Sequence, residues 1–217
     1  MPTQASDIIT RALNSLLIFD QGRSDIGNDD LETLAVLNQE VARLYLAASD
    51  PPARRIERDD YFTEATAIVL AGGVGTLPTL LRLPLLLAPD GRRVRFVSEA
   101  AKATGVPDLP PAVRLSGTTI TSLGRTGDPG AAETLTCKYT PNPGPLTART
   151  HYIGALTPTD PNTSKWPSQV GDDVLVWRLA RYWGLKSTDL QPPDLQLVQD
   201  YADTAEGRFF ALTRGAV

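Results

Sequence analysis

The sequence has 217 residues, of which 41% are apolar and 21% are charged, enough to bury the core of one large domain without a metal or a disulfide. Its formal net charge of −4 argues against a protein that binds nucleic acid over one large basic surface. A single Cys and a single His exclude an intrachain disulfide and a metal site built from His and Cys ligands.

The beginning of the sequence, MPTQASD, lacks the basic and apolar regions of a secretory signal. The longest apolar stretch, residues 83–88, is interrupted by Pro84 and is too short to span a bilayer. We therefore expect a soluble protein that is made in a reducing compartment and has no membrane partner.

The first fifty residues have the periodicity of two helices. In residues 6–18 the apolar side chains recur at a spacing of about four, which places them on one helical stripe. A second stripe begins at Leu31, and Pro51 ends it. Asp29 and Glu32, on either side of its start, have the three-residue separation of a capping box. The pattern predicts a helix-loop-helix hairpin.

The middle of the chain is rich in Pro, Gly and Thr and has the period of two that is typical of strands. Strands are predicted in residues 62–70, 81–87, 93–97, 113–115, 118–121 and 134–139. The turns at residues 89–92 and 116–117 predict two hairpins. Residues 98–104 predict one or two helical turns. We expect a total of about five short strands in one small sheet.

Helical periodicity returns near Lys165. Trp177 is interpreted as a core residue of the third helix, and Trp183, beside Gly184, as partly exposed. The fourth helix begins near Pro192, and its predicted inner side comprises Leu195, Val198, Tyr201, Ala202, Ala205, Phe209 and Leu212. The chain therefore predicts an α+β fold. In it, residues 1–50 and 165–217 form an antiparallel helical bundle, and residues 51–164 form a β-rich insertion.

The candidates for catalysis are isolated. The motif GGVGT at residues 72–76 is followed by Leu77 and Pro78 and not by the Gly-Lys-Ser/Thr of a phosphate loop, so it predicts a turn between strands. His151 could act as a general base, but the chain has no G-x-S-x-G motif, and a structural role is favoured. Cys137 occupies a strand position that predicts a buried, unreactive thiol.

Charged clusters have ordinary explanations beside functional ones. The carboxylate pairs at residues 29–30, 59–60 and 172–173 could hold Mg²⁺, but helix starts explain two of them and solvation explains the pair at 59–60. Two arginine clusters are possible contacts for a partner or for DNA phosphates: Arg54, Arg55, Arg58, Arg92, Arg93 and Arg95. The alternative for both clusters is solubilising charge on a linker and on an exposed hairpin.

The order of the motifs resembles that of the head-to-tail adaptor proteins of tailed phages. The resemblance begins with DIITRAL at residues 7–13 and DLETLAVLN at 30–38, continues with PDGR at 89–92 and LTCKY at 135–139, and ends with the helix after WP at 166–167. It covers nearly the whole chain but lies in layout and scattered residues. The sequence departs from the family pattern at residues 25–27, where DIG replaces a frequent Pro-Ser, and at Gly171 in the third helix.

The resemblance implies a structural virion protein without catalysis or cofactors. Such adaptors form a ring, typically of twelve copies, between the portal and the tail in the virion neck, after synthesis in the host cytoplasm. The expected partners are the portal protein, a tail or neck protein, further copies of the chain, and double-stranded DNA that passes through the channel without sequence-specific binding. The resemblance also implies that the C-terminal segment binds the portal through Phe209, Phe210, Leu212 and Arg214.

Two alternatives stay open. The first is a neck or tail-completion protein, or another assembly module, that binds one protein partner through the β-rich insertion and has no role in a DNA channel. The second is an enzyme that uses His151 together with an acidic pair.

Overall fold

The structure is a computed structural model that describes residues 1–17, 29–48, 64–81, 83–97, 112–123, 133–187 and 190–213. Contacts divide the chain into two units, which we name the helical unit (Met1–Ala48 and Pro143–Val217) and the strand unit (Ser49–Asn142). Within the described residues the helical unit holds four α-helices and the strand unit holds seven strands. The predicted α+β class is confirmed.

Four α-helices make up most of the helical unit: α1 (Ala5–Leu17), α2 (Asp30–Ala48), α3 (Ser168–Lys186) and α4 (Pro192–Thr213). The α3 helix packs against each of the other three. The apolar stripe of α1 is buried as its periodicity predicted, with Ile8, Ile9, Ala12 and Leu16 at most 2% exposed. None of the helices in the described ranges combines the length and the apolar character needed to cross a membrane.

The predicted cap of α2 is confirmed. The Asp29 carboxylate accepts a hydrogen bond from the backbone N–H of Glu32 at 3.1 Å, which satisfies one of the free donors at the helix start. The predicted end of this helix at Pro51 lies outside the described residues.

Residues 143–164, which the sequence analysis placed in the insertion, belong to the helical unit. The N–H of Ala5 donates a hydrogen bond to His151 O at 2.9 Å, and the N–H of Ile153 donates one to Thr3 O at 2.9 Å. The buried Tyr45 hydroxyl donates to Gly154 O at 2.9 Å. These bonds connect a segment that has no helical periodicity to the start of α1 and to α2. No local sequence pattern predicts them.

The described residues of the strand unit form two sheets from seven strands: β1 (Glu64–Leu70), β2 (Val74–Thr76), β3 (Leu85–Leu87), β4 (Arg95–Val97), β5 (Ala112–Ser116), β6 (Thr119–Ser122) and β7 (Glu133–Tyr139). One sheet has the order β1-β7-β3 and is antiparallel. The other has the order β2-β6-β5-β4, in which only the β4–β5 pair is parallel. The expectation of about five strands in one sheet was therefore wrong for the described residues.

The first predicted hairpin explains the error. Its turn forms, because Gly91 adopts a φ of +79° and the N–H of Ala88 donates to Arg92 O at 2.9 Å. Beyond the turn the two arms separate: β3 pairs with β7, whereas β4 pairs with β5. The second predicted hairpin, β5–β6 around Gly117, is confirmed. The helical turns predicted for residues 98–104 lie outside the described residues.

Two sheets enclose one apolar core in the strand unit. Its fully buried members include Leu86, Ile120 and Cys137, one from each of three strands. The arginines of the first turn and of β4 face away from this core: Val94 is buried while Arg93 and Arg95 are exposed, in the predicted alternation.

The two tryptophans of α3 have environments opposite to those predicted. Trp183 is 5% exposed and belongs to the core, whereas Trp177 is half-buried and stacks on Tyr201 of α4 at 4.6 Å between ring centroids. The physical reason is that Gly184 does not end the helix, which continues to Lys186 and keeps Trp183 inside the packed part of α3.

Candidate functional site

The proposed portal-binding segment at the C-terminus is divided between core and surface. Phe209 is fully buried in the helical unit and packs on Trp166 with ring centroids 5.7 Å apart. Phe210 is half-buried and contacts Phe209 edge to face, and Leu212 is 46% exposed. Phe209 is therefore a core residue, as its predicted place on the inner side of the fourth helix required. Portal binding through this segment stays a prediction. Arg214 lies outside the described residues.

The second arginine cluster is only partly a basic surface. Arg92 donates to the Asp90 carboxylate from its Nε at 2.8 Å and from its backbone N–H at 3.1 Å. These bonds hold the pKa of the Asp90 carboxyl below its ordinary value. Arg93 and Arg95 are exposed on the opposite side from Val94. The other cluster, Arg54, Arg55 and Arg58, lies outside the described residues.

The isolated reactive residues have structural surroundings. His151 Nδ1 accepts a hydrogen bond from the backbone N–H of Thr147 at 3.2 Å. Both residues lie in the segment that is hydrogen-bonded to the start of α1. Cys137 is fully buried in β7, and burial raises the pKa of its thiol to about 12. The first two residues of the GGVGT motif, Gly72 and Gly73, form the turn between β1 and β2 with φ values of +59° and +79°, and the other three residues are β2 itself.

Asp172 is a buried carboxylate that the sequence analysis explained incorrectly. It lies beyond the first turn of α3, which holds no acidic residue, so the start of the helix does not account for it. It accepts hydrogen bonds from Trp166 Nε1 at 3.0 Å and from Thr3 Oγ1 at 2.7 Å. Burial raises its pKa, although these two bonds and the nearby Arg11 guanidinium act in the opposite direction.

The other acidic pairs are occupied by arginines or lie outside the described residues. Asp173 forms an ion pair with Arg11 at 2.5 Å, and Asp30 pairs with Arg149. The pair at residues 59–60 is outside the described residues. Across the described ranges, no group of three or more His, Cys, Asp or Glu side chains could hold a metal ion.

A charge network that joins three helices escaped the sequence analysis. Glu206 of α4 accepts hydrogen bonds from Arg43 of α2 at 2.8 and 3.0 Å, and it also pairs with Arg178 of α3. Burial acts to raise the pKa of Glu206, but the bonds from the two guanidinium groups outweigh it and lower that pKa. Only the Glu40–Arg43 pair on α2, three residues apart, carried a sequence signal.

Strand β1 presents the longest open strand edge in the described part of the chain. It is hydrogen-bonded to β7 on one side only. Residues 65–70, ATAIVL, contain no charge and no proline, the two features that commonly protect strand edges. Ala65, Ala67 and Val69 are exposed on one face of this strand, and Val69 is 57% exposed.

A second exposed apolar surface follows α4. Leu197, Tyr201 and Leu212 are 40%, 43% and 46% exposed, and all three lie on one side of the helix. Neither surface contains a group suited to catalysis, but both are suited to binding another polypeptide. Single exposed apolar residues are normal on a protein surface, whereas clustered ones mark interaction sites.

No family model matches this chain, and no curated protein matches it at a significant level.

Proposed function

We propose that the protein is a structural assembly protein of a tailed-phage neck, a head-to-tail adaptor that forms a ring between portal and tail and extends the DNA channel. The observation that carries the proposal is the edge of β1, which pairs with no strand on its outer side within the described residues, together with its exposed apolar face. A ring requires each subunit to contact its neighbours through two different faces. A free strand edge supplies one such face, since its unpaired N–H and C=O groups bind another strand.

The motif order described above supports the same function, because it resembles that of the adaptor family from DIITRAL to the last helix. The charge balance supports it as well. A chain with a net charge of −4 offers few cations to neutralise phosphates, which allows DNA to slide past without sticking. In the second arginine cluster, Arg92 is neutralised by Asp90, which reduces its attraction for phosphates.

The test is co-expression with the portal protein of the same genome, followed by electron microscopy of the purified complex. We expect a rotationally symmetric layer of this protein on the portal, with a central opening wide enough for duplex DNA. A complex that lacks any such layer would overturn the proposal. A one-to-one complex with a single tail protein would favour instead the assembly module that binds through its strand edge.

A matched pair of variants tests the role of the β1 edge. Val69→Lys places a charge on the exposed face of β1, where it opposes pairing with another strand. Thr119→Lys places the same charge on β6, in the other sheet, at a residue that is also exposed. We expect Val69→Lys to prevent ring formation and Thr119→Lys to leave it intact, with unchanged circular dichroism for both. Equal ring formation by the two variants would contradict the assignment of this edge.

A further inference from the structure

One side of α4 is exposed, although Tyr201 on this side stacks on Trp177 of α3 in the same subunit. Leu197, Tyr201, Arg208 and Leu212 fall on one side of the helix because they are spaced by four, seven and four residues. All four are exposed, whereas Val198, Ala202, Ala205 and Phe209, which lie on the adjoining side, form the core of the helical unit. A helix with an apolar core side and a second, exposed apolar stripe is suited to a second contact.

Gly207 lies beside this stripe, where the lack of a side chain makes the helix surface lower. It lies inside a helix of 22 residues, where glycine is among the poorest helix formers. A Cβ atom placed on Gly207 would meet nothing within 4 Å, so packing within the subunit does not require a glycine here. The neighbouring exposed residues Thr204 and Ala211 are also small. Another helix could therefore approach α4 closely at this point.

The charges on this side of α4 are complementary to one another. Asp200 and Arg208 lie four residues before and four residues after Thr204. If two α4 helices cross antiparallel at Thr204, Asp200 of each copy lies opposite Arg208 of the other, and Leu197 lies opposite Ala211. Asp200 accepts a hydrogen bond from Gln196 at 2.8 Å, and Arg208 has no ion pair within the described residues.

We propose that two copies of the chain pair through α4 in this antiparallel arrangement. The pairing goes beyond the proposed ring, because it is a two-fold contact that uses the same surface twice, whereas a ring uses two different faces. It is a form of the free protein. A contact made by one helix from each copy is small, so we expect a weak, concentration-dependent dimer.

Sedimentation velocity over a wide range of protein concentrations tests the pairing. The wild-type chain should pass from monomer to dimer as its concentration rises. Asp200→Arg and Arg208→Asp should each weaken the dimer by about tenfold or more in Kd, since each places like charges opposite one another. The double variant Asp200→Arg/Arg208→Asp should restore dimerisation, because the charge pair is then reversed in both positions.

Two further variants address the apolar stripe and the glycine. Leu197→Glu should weaken the dimer, whereas Leu31→Glu, at a residue that is 83% exposed on α2, is the matched control and should not. Gly207→Ala should weaken the dimer while it raises the melting temperature of the monomer. Circular dichroism identifies any variant that unfolds, and the remaining variants then test the pairing.

The pairing is overturned by a wild-type chain that stays monomeric at all concentrations. It is also overturned by a dimer that ignores both single charge reversals, or by a double variant without restoration. Ring formation on the portal is scored separately. We expect the α4 variants to leave the ring intact, and loss of the ring in Leu197→Glu but not in Leu31→Glu would make α4 a ring contact and refute the two-fold pairing.

Discussion

Trp166 donates its indole N–H to the carboxylate of Asp172 at 3.0 Å, and both side chains are buried. The same indole lies against the backbone of Gly171, where an added Cβ would come within 2.6 Å of the ring. It also stacks on Tyr45 of α2 and packs on Phe209 of α4. Trp166 is thus held by three helices, and Gly171, which departs from the adaptor pattern, has a steric reason.

Removal of the Asp172 carboxylate should destabilise the helical unit. Asp172→Ala leaves the buried Trp166 N–H without an acceptor, which costs about 1–3 kcal/mol. Asp173→Ala, at the next residue, removes only a half-exposed ion pair with Arg11 and should cost less than about 1 kcal/mol. Urea denaturation followed by tryptophan fluorescence measures both, and equal effects would contradict the assigned role of Asp172.

The raised pKa of Asp172 predicts a pH dependence of defined sign. The folded chain holds this proton more tightly than the unfolded chain, in which aspartate titrates near about pH 3.9. The contribution of Asp172 is therefore fully present below about pH 3.9 and is lost as the pH rises through its folded pKa. Asp172→Asn cannot ionise, so its unfolding free energy should gain on the wild type from about pH 3.9 towards neutrality.

Urea denaturation at a series of pH values measures this difference, and Asp173→Asn controls for the change in net charge. A difference between Asp172→Asn and wild type that stays flat, or falls, as the pH rises would contradict the burial of an ionisable carboxyl at this position.

Phe209 and Phe210 offer a comparison between neighbours of the same type. Phe209 is fully buried against Trp166, so Phe209→Ala should destabilise the helical unit by about 3–5 kcal/mol. Phe210 is half-buried, and Phe210→Ala should cost roughly half of that or less. Thermal and urea denaturation provide the measurement. If Phe209→Ala were as stable as the wild type, the C-terminal end of α4 would be a dispensable anchor after all.

Thr140 carries a buried hydroxyl that finds no hydrogen-bond partner in the described part of the chain. Thr140→Val keeps the shape of the side chain and removes the unsatisfied group. We expect the strand unit to gain about 1 kcal/mol of stability. Hydrogen exchange of the β7 amides, read residue by residue, measures the gain, and slower exchange is the expected result. Faster exchange would show that the hydroxyl is in fact satisfied.

Cys137 should be inert in the native protein. Only the thiolate reacts with alkylating reagents, and burial both raises the thiol pKa to about 12 and blocks access to the sulfur. We expect labelling by iodoacetamide at neutral pH only when the strand unit opens, with a rate that rises steeply with urea. Mass spectrometry measures this rate, and rapid labelling in the absence of denaturant would contradict the burial.

The helices were predictable because their signals are local. Apolar spacing in α1 and the Asp29 cap of α2 depend on residues within one or two turns, so the sequence alone predicts both. The sheets depend on pairings between distant strands, such as β1 with β7, and no local pattern specifies which arm of a hairpin changes sheets. The environments of Trp177 and Trp183 differ from the prediction because the third helix continues past Gly184 to Lys186 and keeps Trp183 in the core.

The interaction surfaces were less accessible to sequence reasoning than the core. The uncharged run at residues 65–70 is visible in the sequence, but its position at a sheet edge follows only from the strand order. The sequence around Glu206 likewise gives no sign of its role, because its partners Arg43 and Arg178 lie on other helices. The spacing correctly placed Phe209 on the inner side of the fourth helix, but Tyr201 and Leu212, assigned to the same side, are 43% and 46% exposed. Which side of α4 is covered depends on tertiary contacts such as the one between Phe209 and Trp166.

The division of the chain into an interrupted helical unit and a continuous strand unit sets an order for biosynthesis. On the ribosome, residues 49–142 emerge as one uninterrupted stretch, whereas α1 and α2 must wait for α3 and α4. Until then the apolar stripe of α1 has no permanent cover. We therefore expect the nascent chain to keep Ile8, Ile9 and Leu16 accessible until α3 has been synthesised.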